Sequence, residues 1–240
     1  MSDNLHQPLP PGQIERKDFP RFGLGKFARR FPADVTSIAV TVGGESEREF
    51  VLSDQVDGLT RVELTADFHC VTTWSVRDVR WSGWRFRDVY EQVVVAAANP
   101  SEAVRLVVLR GGDGYCAALP LADLLSDEVL LADRLNDQPL GIEHGAPLRL
   151  VAPAHYGYKN CRPLVASELG RDAEHYRFPR PYPKFMDHPR ARVALEERGR
   201  WLPAILLRYV YRLLVPATVK TFQRAMAEYR GQHDSNSKSI

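Results

Sequence analysis

Three separated segments of the chain carry side chains that can do more than pack. They are "HCVTTW" (69–74), "HGAPLR" (144–149) and "HYGYKNCR" (155–162). A cysteine among polar and aromatic residues can act as a nucleophile or as a metal ligand, because its thiolate is both. Arginine and lysine present donors that match the oxygens of phosphate. These residue types therefore suggest either cysteine-based covalent catalysis or a site for an anionic ligand.

Cys70 admits three interpretations. Free cysteine is often no more than a small, buried apolar side chain. As a nucleophile it would need a nearby base, but neighbouring residues in a strand point to opposite faces, so His69 is poorly placed for that role. His144 or His155 remain as candidate bases that only the fold could bring close. The remaining interpretation is that Cys70 is a ligand.

The second and third segments favour an anionic ligand. Arg149, Lys159 and Arg162 supply cationic donors, and Asn160 and the backbone amides of a glycine-containing loop supply neutral ones. Guanidinium groups match phosphate oxygens through paired hydrogen bonds. We therefore expect a polar ligand that carries phosphate.

Three motifs in this order resemble a known family. "HCVTTWS", the DGY of "GGDGYCAALPL" and "HGAPLRLVAPAHYGYK" are similar to motifs of the sulfite oxidase superfamily of molybdopterin proteins, and above all to haem-free bacterial members such as the methionine-sulfoxide reductase catalytic subunit. The likeness covers residues 19–169. It implies an α+β fold with a β-rich core of mixed sheets, short helices and a helical C-terminal extension. It also implies a molybdenum–molybdopterin cofactor.

The resemblance assigns roles to individual residues. Cys70 would give its thiolate to molybdenum, which also holds the dithiolene sulfurs of one pterin and oxo groups. His155, Tyr156 and Lys159 are the further catalytic candidates, and they would line the substrate side because they cluster on one loop beside Arg149. The expected cofactor-binding residues, besides Cys70, are His69, His144, Arg149, Asn160, Cys161, Arg162, Arg21 and Phe22.

The chain also departs from the family pattern. His144 stands where the reductase subunit has asparagine, and Arg162-Pro163 replaces the more usual Lys-His. Cys116 and Cys161 do not match the ligand position. These differences leave cofactor binding as the expectation and the substrate open.

The expected function is a molybdenum-dependent, two-electron oxygen-atom transfer on a small polar substrate of the sulfite, sulfoxide or N-oxide class. A separate haem or flavin protein would exchange the electrons, and no nucleic-acid partner is expected. One alternative is a non-catalytic molybdopterin carrier or assembly protein. Another is a binding domain that kept the scaffold without the cofactor.

The surrounding pattern predicts a β-rich domain that would position these segments. Alternating apolar residues predict strands within 36–53 and 58–75, and two more joined at Gly111–Gly114. The stretch from 81 is expected to begin as a turn and to become a helix over Phe86–Ala98, ended by Asn99-Pro100. Residues 121–140 have an ambiguous period, and residues 146–169 predict strand, loop and strand.

Three parts of the chain are distinguished by composition. Residues 1–18 are a polar lead-in, 19–170 the cofactor-binding domain, and 171–240 a basic, partly helical extension with 14 Lys/Arg against 7 Asp/Glu. Residues 171–190 are expected to be extended, and 191–230 helical but cut at Pro203 and Pro216. The basic helix could dock on a membrane surface or a partner, or pack on its own domain.

Composition bounds the remaining expectations. No run approaches the ~18 apolar residues that a membrane span needs, and no export signal is recognised at the start of the chain. The three cysteines are widely spaced and predict neither a zinc site nor a disulfide framework. We therefore expect a cytoplasmic protein.

Overall fold

The computed structural model describes residues 8–21, 23, 25–32, 36–180 and 182–237. Phe22 lies outside these residues, so its expected cofactor contact stays a prediction. The strands of the described part are, in chain order, β1 (Ile14–Glu15), β2 (Val40–Gly44), β3 (Phe50–Leu52), β4 (Val62–Cys70), β5 (Trp74–Arg85), β6 (Leu106–Gly111), β7 (Cys116–Pro120), β8 (Leu130–Leu135), β9 (Gln138–Pro139), β10 (Arg149–Val151) and β11 (Leu164–Gly170). The α-helices are α1 (Phe86–Val89), α2 (Val95–Ala98), α3 (Leu121–Leu124) and α4 (Ala204–Ser237).

Two mixed sheets form the body of the fold. One runs β1-β5-β8-β10, with β4 paired to β5 and β9 paired to β8. The other runs β3-β2-β11-β6-β7. The pairs β1–β5 and β11–β2 are parallel and the others antiparallel. This arrangement confirms the expected α+β fold with β-rich mixed sheets.

The main core combines side chains from both sheets. Val42 and Leu109 of the second sheet share one buried cluster with Leu131 and Leu150 of the first. A smaller cluster around Trp81 underlies the first sheet. Since both sheets contribute to one core, they hold the loops at their ends at fixed positions.

The predicted helix over Phe86–Ala98 is confirmed, although its middle is not α-helical. α1 passes into a π-helical turn at Tyr90–Val94 and then into α2. Asn99 adopts a left-handed conformation with φ of 48° and ends the helix before Pro100. Asparagine tolerates this conformation, and proline cannot continue a helix.

The turn expected to begin at Trp81 is wrong, because strand β5 continues through Arg85. Gly83 is the reason for the misreading. A Cβ at this position would lie 2.1 Å from the carbonyl oxygen of Leu131 on the neighbouring strand β8. The glycine therefore marks close approach of two strands and not a turn. The ambiguous stretch 121–140 resolves into α3, β8 and β9.

The predicted helix over 191–230 is wrong in both its start and its interruption. Residues 191–203 are irregular, with positive φ at Ala191, Glu196 and Trp201. The helix α4 begins after Pro203 and runs past Pro216 without a break. An internal proline costs roughly 3 kcal/mol, and buried Tyr211 and Phe222 on either side of it offset that cost. No helix in the described part of the chain is long and apolar enough to cross a bilayer.

Candidate cofactor site

A cavity lies at the end of β4, where the chain turns into β5. Its volume, counted as the space open to the centres of water-sized molecules, is about 120 Å³. This is several times the volume that one water molecule needs. Cys70, the last residue of β4, lines it. The other polar lining residues are Arg21, Asp113, Tyr115, Tyr158, Asn160, Arg162 and Tyr211. Much of the remaining wall is aromatic, with Phe19, Phe27, Phe68, Trp74, Phe178 and Phe222.

The Cys70 thiol is nearly buried yet hydrogen-bonded. Its residue is 6% exposed, and Sγ lies 3.1 Å from Thr72 Oγ1. Burial raises the pKa of the Cys70 thiol, whereas the Thr72 hydrogen bond and the positive charges of Arg198 and Arg162 lower it. The thiol is therefore protonated when no cation is bound, and a bound metal ion would favour the thiolate.

The turn after Cys70 is held by its own backbone and by the N-terminal segment. Thr73 N–H and the Gln13 side-chain amide both donate to the carbonyl oxygen of Cys70, each over 3.1 Å. Thr73 has a positive φ of 77°, which fixes the tight reversal into β5. The turn therefore has a defined geometry before any ligand binds.

Arg198 joins this turn to the irregular segment 191–203. The fully buried guanidinium donates to the carbonyl oxygens of Val71 over 2.5 Å and of Pro11 over 2.9 Å. It also pairs with Glu196 at 3.1 Å. The position of the Cys70 turn thus depends on a side chain that lies 128 residues further along the chain.

Two arginines supply positive charge to the cavity. Burial lowers the pKa of Arg21 to about 10, helped by the charge of Arg162 and opposed by Asp113. Burial also lowers the pKa of Arg162, and Asp113 opposes that shift. Arg162 donates to the carbonyl oxygen of Glu143. Of the cationic residues predicted for the site, Arg21 and Arg162 line the cavity with Cys70, whereas Arg149 and Lys159 do not.

Residues beyond Gly170 also form the cavity wall. Phe178 and Met186 come from the stretch between β11 and residue 191, and Tyr211 and Phe222 come from α4. Sequence reasoning missed all four, because no local pattern indicates which residues a distant segment brings to a site. The hydroxyls of Tyr211 and of Tyr115 are buried and have no hydrogen-bond partner among the described residues. Tyr115 belongs to the DGY motif, which was the available signal for it.

His155, Tyr156 and Lys159 were expected on the substrate side, and the structure does not place them among the residues that line the cavity. His155 contacts Arg190 O through Nδ1, and its Nε2 lies 3.7 Å from Asp123 Oδ2. Lys159 is 0% exposed and donates to Asp187 Oδ1 over 2.9 Å. These polar groups are turned inward because each finds a buried acceptor there.

Tyr156 is likewise part of the packing below the site. Its ring is fully buried, lies 5.1 Å from the guanidinium carbon of Arg198, and packs in a cluster with Ala191 and Val193. Burial raises the pKa of Tyr156 to about 12. Within this structure the residue supports Arg198 and does not reach the cavity.

The two predicted histidines of the cofactor set also lie behind the cavity wall. His69 Nδ1 lies 2.7 Å from Ser75 Oγ on the paired strand. His144 packs against Phe19 with ring centroids 4.9 Å apart. Burial and the charges of Arg149 and Arg162 lower the pKa of His144 to about 3, so its imidazole is neutral.

Arg149 lies behind Phe68, with its guanidinium carbon 5.9 Å from the Phe68 ring centroid and 4.7 Å from that of Trp81. Nη1 donates to His144 O over 3.0 Å. Nη2 is buried without a hydrogen-bond partner among the described residues. A buried, unpaired guanidinium nitrogen is costly, and it is available to an anionic group.

Asn160 lines the cavity, and Cys161 next to it does not. The Asn160 side chain accepts a hydrogen bond from Ala152 N over 2.5 Å and so fixes its own loop. The Cys161 side chain is buried, and its carbonyl accepts from Leu150 N over 3.0 Å. Cys70, Cys116 and Cys161, all within the described residues, are free thiols.

The residues present fit a molybdopterin cofactor. Cys70 offers a soft sulfur ligand, which suits a metal of high oxidation state that also holds sulfur donors. Arg21 and Arg162 line the same cavity, and the unpaired nitrogen of Arg149 lies just behind Phe68. Phosphate and thiolate are anionic, so this donor set complements them.

Comparison with known proteins agrees with this chemistry. The profile of a family described as "Oxidoreductase molybdopterin binding domain" matches residues 28–204. The oxidoreductase YuiH of Bacillus subtilis, whose function is uncharacterised, is 35% identical over 165 residues, which cover 68% of this chain and 80% of YuiH.

Two characterised relatives match over a smaller share of their length. The methionine-sulfoxide reductase catalytic subunit MsrP of Xanthomonas axonopodis is 28% identical over 181 residues, covering 66% of this chain and 56% of MsrP. Mitochondrial sulfite oxidase of Drosophila melanogaster is 28% identical over 148 residues, covering 57% of this chain and 23% of the oxidase.

The family match extends past Gly170 and includes the cavity residues Phe178 and Met186, whereas Tyr211 and Phe222 lie beyond its end at residue 204. Proteins of this family bind a molybdenum–molybdopterin cofactor and are enzymes. The chain belongs to the family of oxidoreductases with a molybdopterin-binding domain, within the sulfite oxidase superfamily.

Proposed function

We propose that this oxidoreductase transfers an oxygen atom to or from a small polar substrate at a molybdenum atom ligated by Cys70. The observation that carries the proposal is the position of Cys70 at the wall of a cavity that also contains Arg21 and Arg162. Molybdopterin supplies the two-electron redox chemistry when it is bound. The substrate class is that of sulfite, sulfoxides and N-oxides.

The chain's own residues would hold the cofactor and tune its thiolate ligand. Arg162 and Arg198 both lower the pKa of the Cys70 thiol against the effect of burial, so they favour the thiolate that a metal requires. Arg21, Arg162 and Asn160 line the cavity and offer donors to the pterin and its phosphate. The unpaired Nη2 of Arg149 is a further donor once the aromatic wall at Phe68 admits a ligand.

The hydroxyls of Tyr115 and Tyr211 are the best candidates for substrate contacts. Both residues line the cavity, and both hydroxyls are buried without a hydrogen-bond partner among the described residues, so a substrate oxygen would reach either one only after the wall around it opens. An oxo-anion or an S-oxide oxygen accepts hydrogen bonds, so either hydroxyl could orient it. The aromatic wall would exclude water from the reacting oxygen.

The electron partner would be a separate haem or flavin protein. The relative from Xanthomonas is named as a catalytic subunit, which supports a division between catalysis and electron delivery. The cytoplasmic location stays a prediction that is consistent with the three free thiols.

The test is molybdenum content paired with turnover. The chain is produced in a host fed with molybdate and assayed with dimethyl sulfoxide, trimethylamine N-oxide and sulfite, using artificial electron donors and acceptors. We expect stoichiometric molybdenum and turnover of one of the three. A molybdenum-loaded protein that turns over none of them would contradict the proposed reaction class.

A further inference from the structure

The exposed side of α4 carries an apolar stripe over its first three turns. Its members recur in pairs at a spacing of four residues, which places them on one helix face. They range in exposure from 46% at Val210 to 81% at Leu213. The stripe consists of Ile205, Leu206, Tyr209, Val210, Leu213 and Leu214.

The opposite face of α4 is fixed to the rest of the molecule. Leu207, Tyr211 and Phe222 are buried there. Arg208 Nη2 lies 2.7 Å from Glu196 Oε1, and Arg212 Nη2 donates to Gly12 O over 3.2 Å. Turning the stripe inward would break these contacts and remove Tyr211 from the cavity wall. The stripe therefore stays on the surface as long as α4 keeps these contacts.

The same face becomes basic beyond the stripe. Lys220 and Arg224 follow Leu213 by seven and eleven residues, which keeps them on its side of the helix, and both are exposed. No acidic residue occurs between Ala204 and Ala227. The surface thus combines an apolar stripe with two positive charges, and the next acidic residue, Glu228, pairs with Arg29 over 3.7 Å.

This combination fits anionic lipid better than it fits protein. A single helix face is convex, and a bilayer surface accepts a convex apolar face by burying it between headgroups. Aromatic side chains such as Tyr209 and the exposed Trp201, just before the helix, favour the membrane–water interface. A second copy of the chain would present no carboxylate from this part of the helix to Lys220 or Arg224.

We propose that α4 binds a negatively charged membrane surface through its stripe, with Lys220 and Arg224 contacting lipid headgroups. Because Tyr211 projects from the other side of the same helix, the cofactor cavity would lie about one helix diameter, ~10–12 Å, from the lipid. The inference goes beyond the proposed reaction and does not depend on it.

Vesicle co-sedimentation of the full-length chain tests the proposal. Vesicles of phosphatidylcholine mixed with phosphatidylglycerol are compared with vesicles of phosphatidylcholine alone. We expect binding to the anionic vesicles that weakens with salt. Leu213→Gln should weaken it about tenfold, and Lys220→Gln with Arg224→Gln should weaken it at least about tenfold.

Val51 offers a matched control for the stripe. It is an exposed valine on edge strand β3, 51% exposed against 46% for Val210. Val51→Gln should leave vesicle binding unchanged while Val210→Gln weakens it, with circular dichroism showing that both variants are folded. Equal binding to the two vesicle types, or no binding to either, would overturn the proposal. Self-association that Leu213→Gln abolishes, without vesicle binding, would also overturn it and would assign the stripe to a second copy.

Discussion

Lys159 and Asp187 form a buried ion pair, with Nζ 2.9 Å from Oδ1. Lys159 belongs to the loop after β10, and Asp187 follows a 3₁₀ turn at Lys184–Met186 in the stretch between β11 and α4. The pair joins the two segments directly below the cavity, where neighbouring Tyr158, Asn160 and Met186 reach the wall. It therefore connects the two segments that carry these three wall residues.

Breaking this pair should destabilise the protein strongly. Lys159→Met leaves Asp187 buried without its cation and should lower the free energy of unfolding by about 3–5 kcal/mol. Adding Asp187→Leu should restore most of the loss, because the uncompensated charge is then gone. Urea denaturation measures both effects.

The exposed pair of Arg110 and Glu168 is the control for this measurement. Its side chains are about half exposed, so Arg110→Met should change the unfolding free energy by less than about 1 kcal/mol. A loss for Lys159→Met no larger than this would contradict the structural role assigned to Lys159.

Tyr211→Phe separates substrate binding from stability. The hydroxyl has no hydrogen-bond partner among the described residues, so its removal should leave the unfolding free energy unchanged or slightly higher. If the hydroxyl binds the substrate oxygen, kcat/KM should fall about tenfold. The exposed Tyr209→Phe on the same helix should change neither quantity, and a Tyr211→Phe enzyme with unaltered kcat/KM would exclude the contact.

His144→Asn should flatten the dependence of stability on pH. Burial and two arginines lower the pKa of His144 to about 3, below its ordinary value of 6.5. The unfolded chain therefore binds a proton between these values that the folded chain does not, and stability falls as the pH drops below 6.5. The contribution of neutral His144 to the free energy of unfolding is complete above pH 6.5 and decreases as the pH falls from 6.5 to about 3.

The measurement is the unfolding free energy of both proteins between pH 7 and 5. As the pH falls across this range, the free energy of unfolding should decrease more for the wild type than for His144→Asn. His175→Asn, at an exposed histidine, serves as the control substitution. Parallel pH profiles for wild type and His144→Asn would show that His144 titrates alike in the folded and unfolded states.

The sequence pattern was sufficient to predict the strands and the helix that depend on local periodicity. Alternating residues gave the strands around Cys70, and the helix over Phe86–Ala98 ended where Asn99 and Pro100 require it. Gly83 was misread because a turn and a close strand contact both need a residue without a side chain. Pro216 was misread because packing on both sides of it outweighs a local penalty.

The residues of the site likewise divide into those that the sequence predicted and those whose positions depend on distant segments. Cys70, Arg21, Asn160 and Arg162 were expected together and do line one cavity. His155 and Lys159 were expected at the substrate because they share one loop beside Arg149, yet each has a buried partner from a distant segment. Tyr211 reaches the cavity only through the docking of α4, which no short-range pattern encodes.

Arg198→Lys tests whether the irregular segment positions the Cys70 turn. A lysine cannot reproduce the fork that contacts Val71 O and Pro11 O together. We expect a loss of about 1–3 kcal/mol in unfolding free energy and a shifted electron-paramagnetic signal of the one-electron-reduced metal. A stability loss with an unaltered signal would limit Arg198 to a structural role.

The most direct test of the account is X-ray absorption at the molybdenum edge of the loaded protein. If Cys70 is the ligand, Cys70→Ser should show one sulfur neighbour fewer around molybdenum than the wild type, while Cys116→Ser shows the same number as the wild type. An unchanged sulfur count in Cys70→Ser would contradict the assignment of Cys70 as the metal ligand.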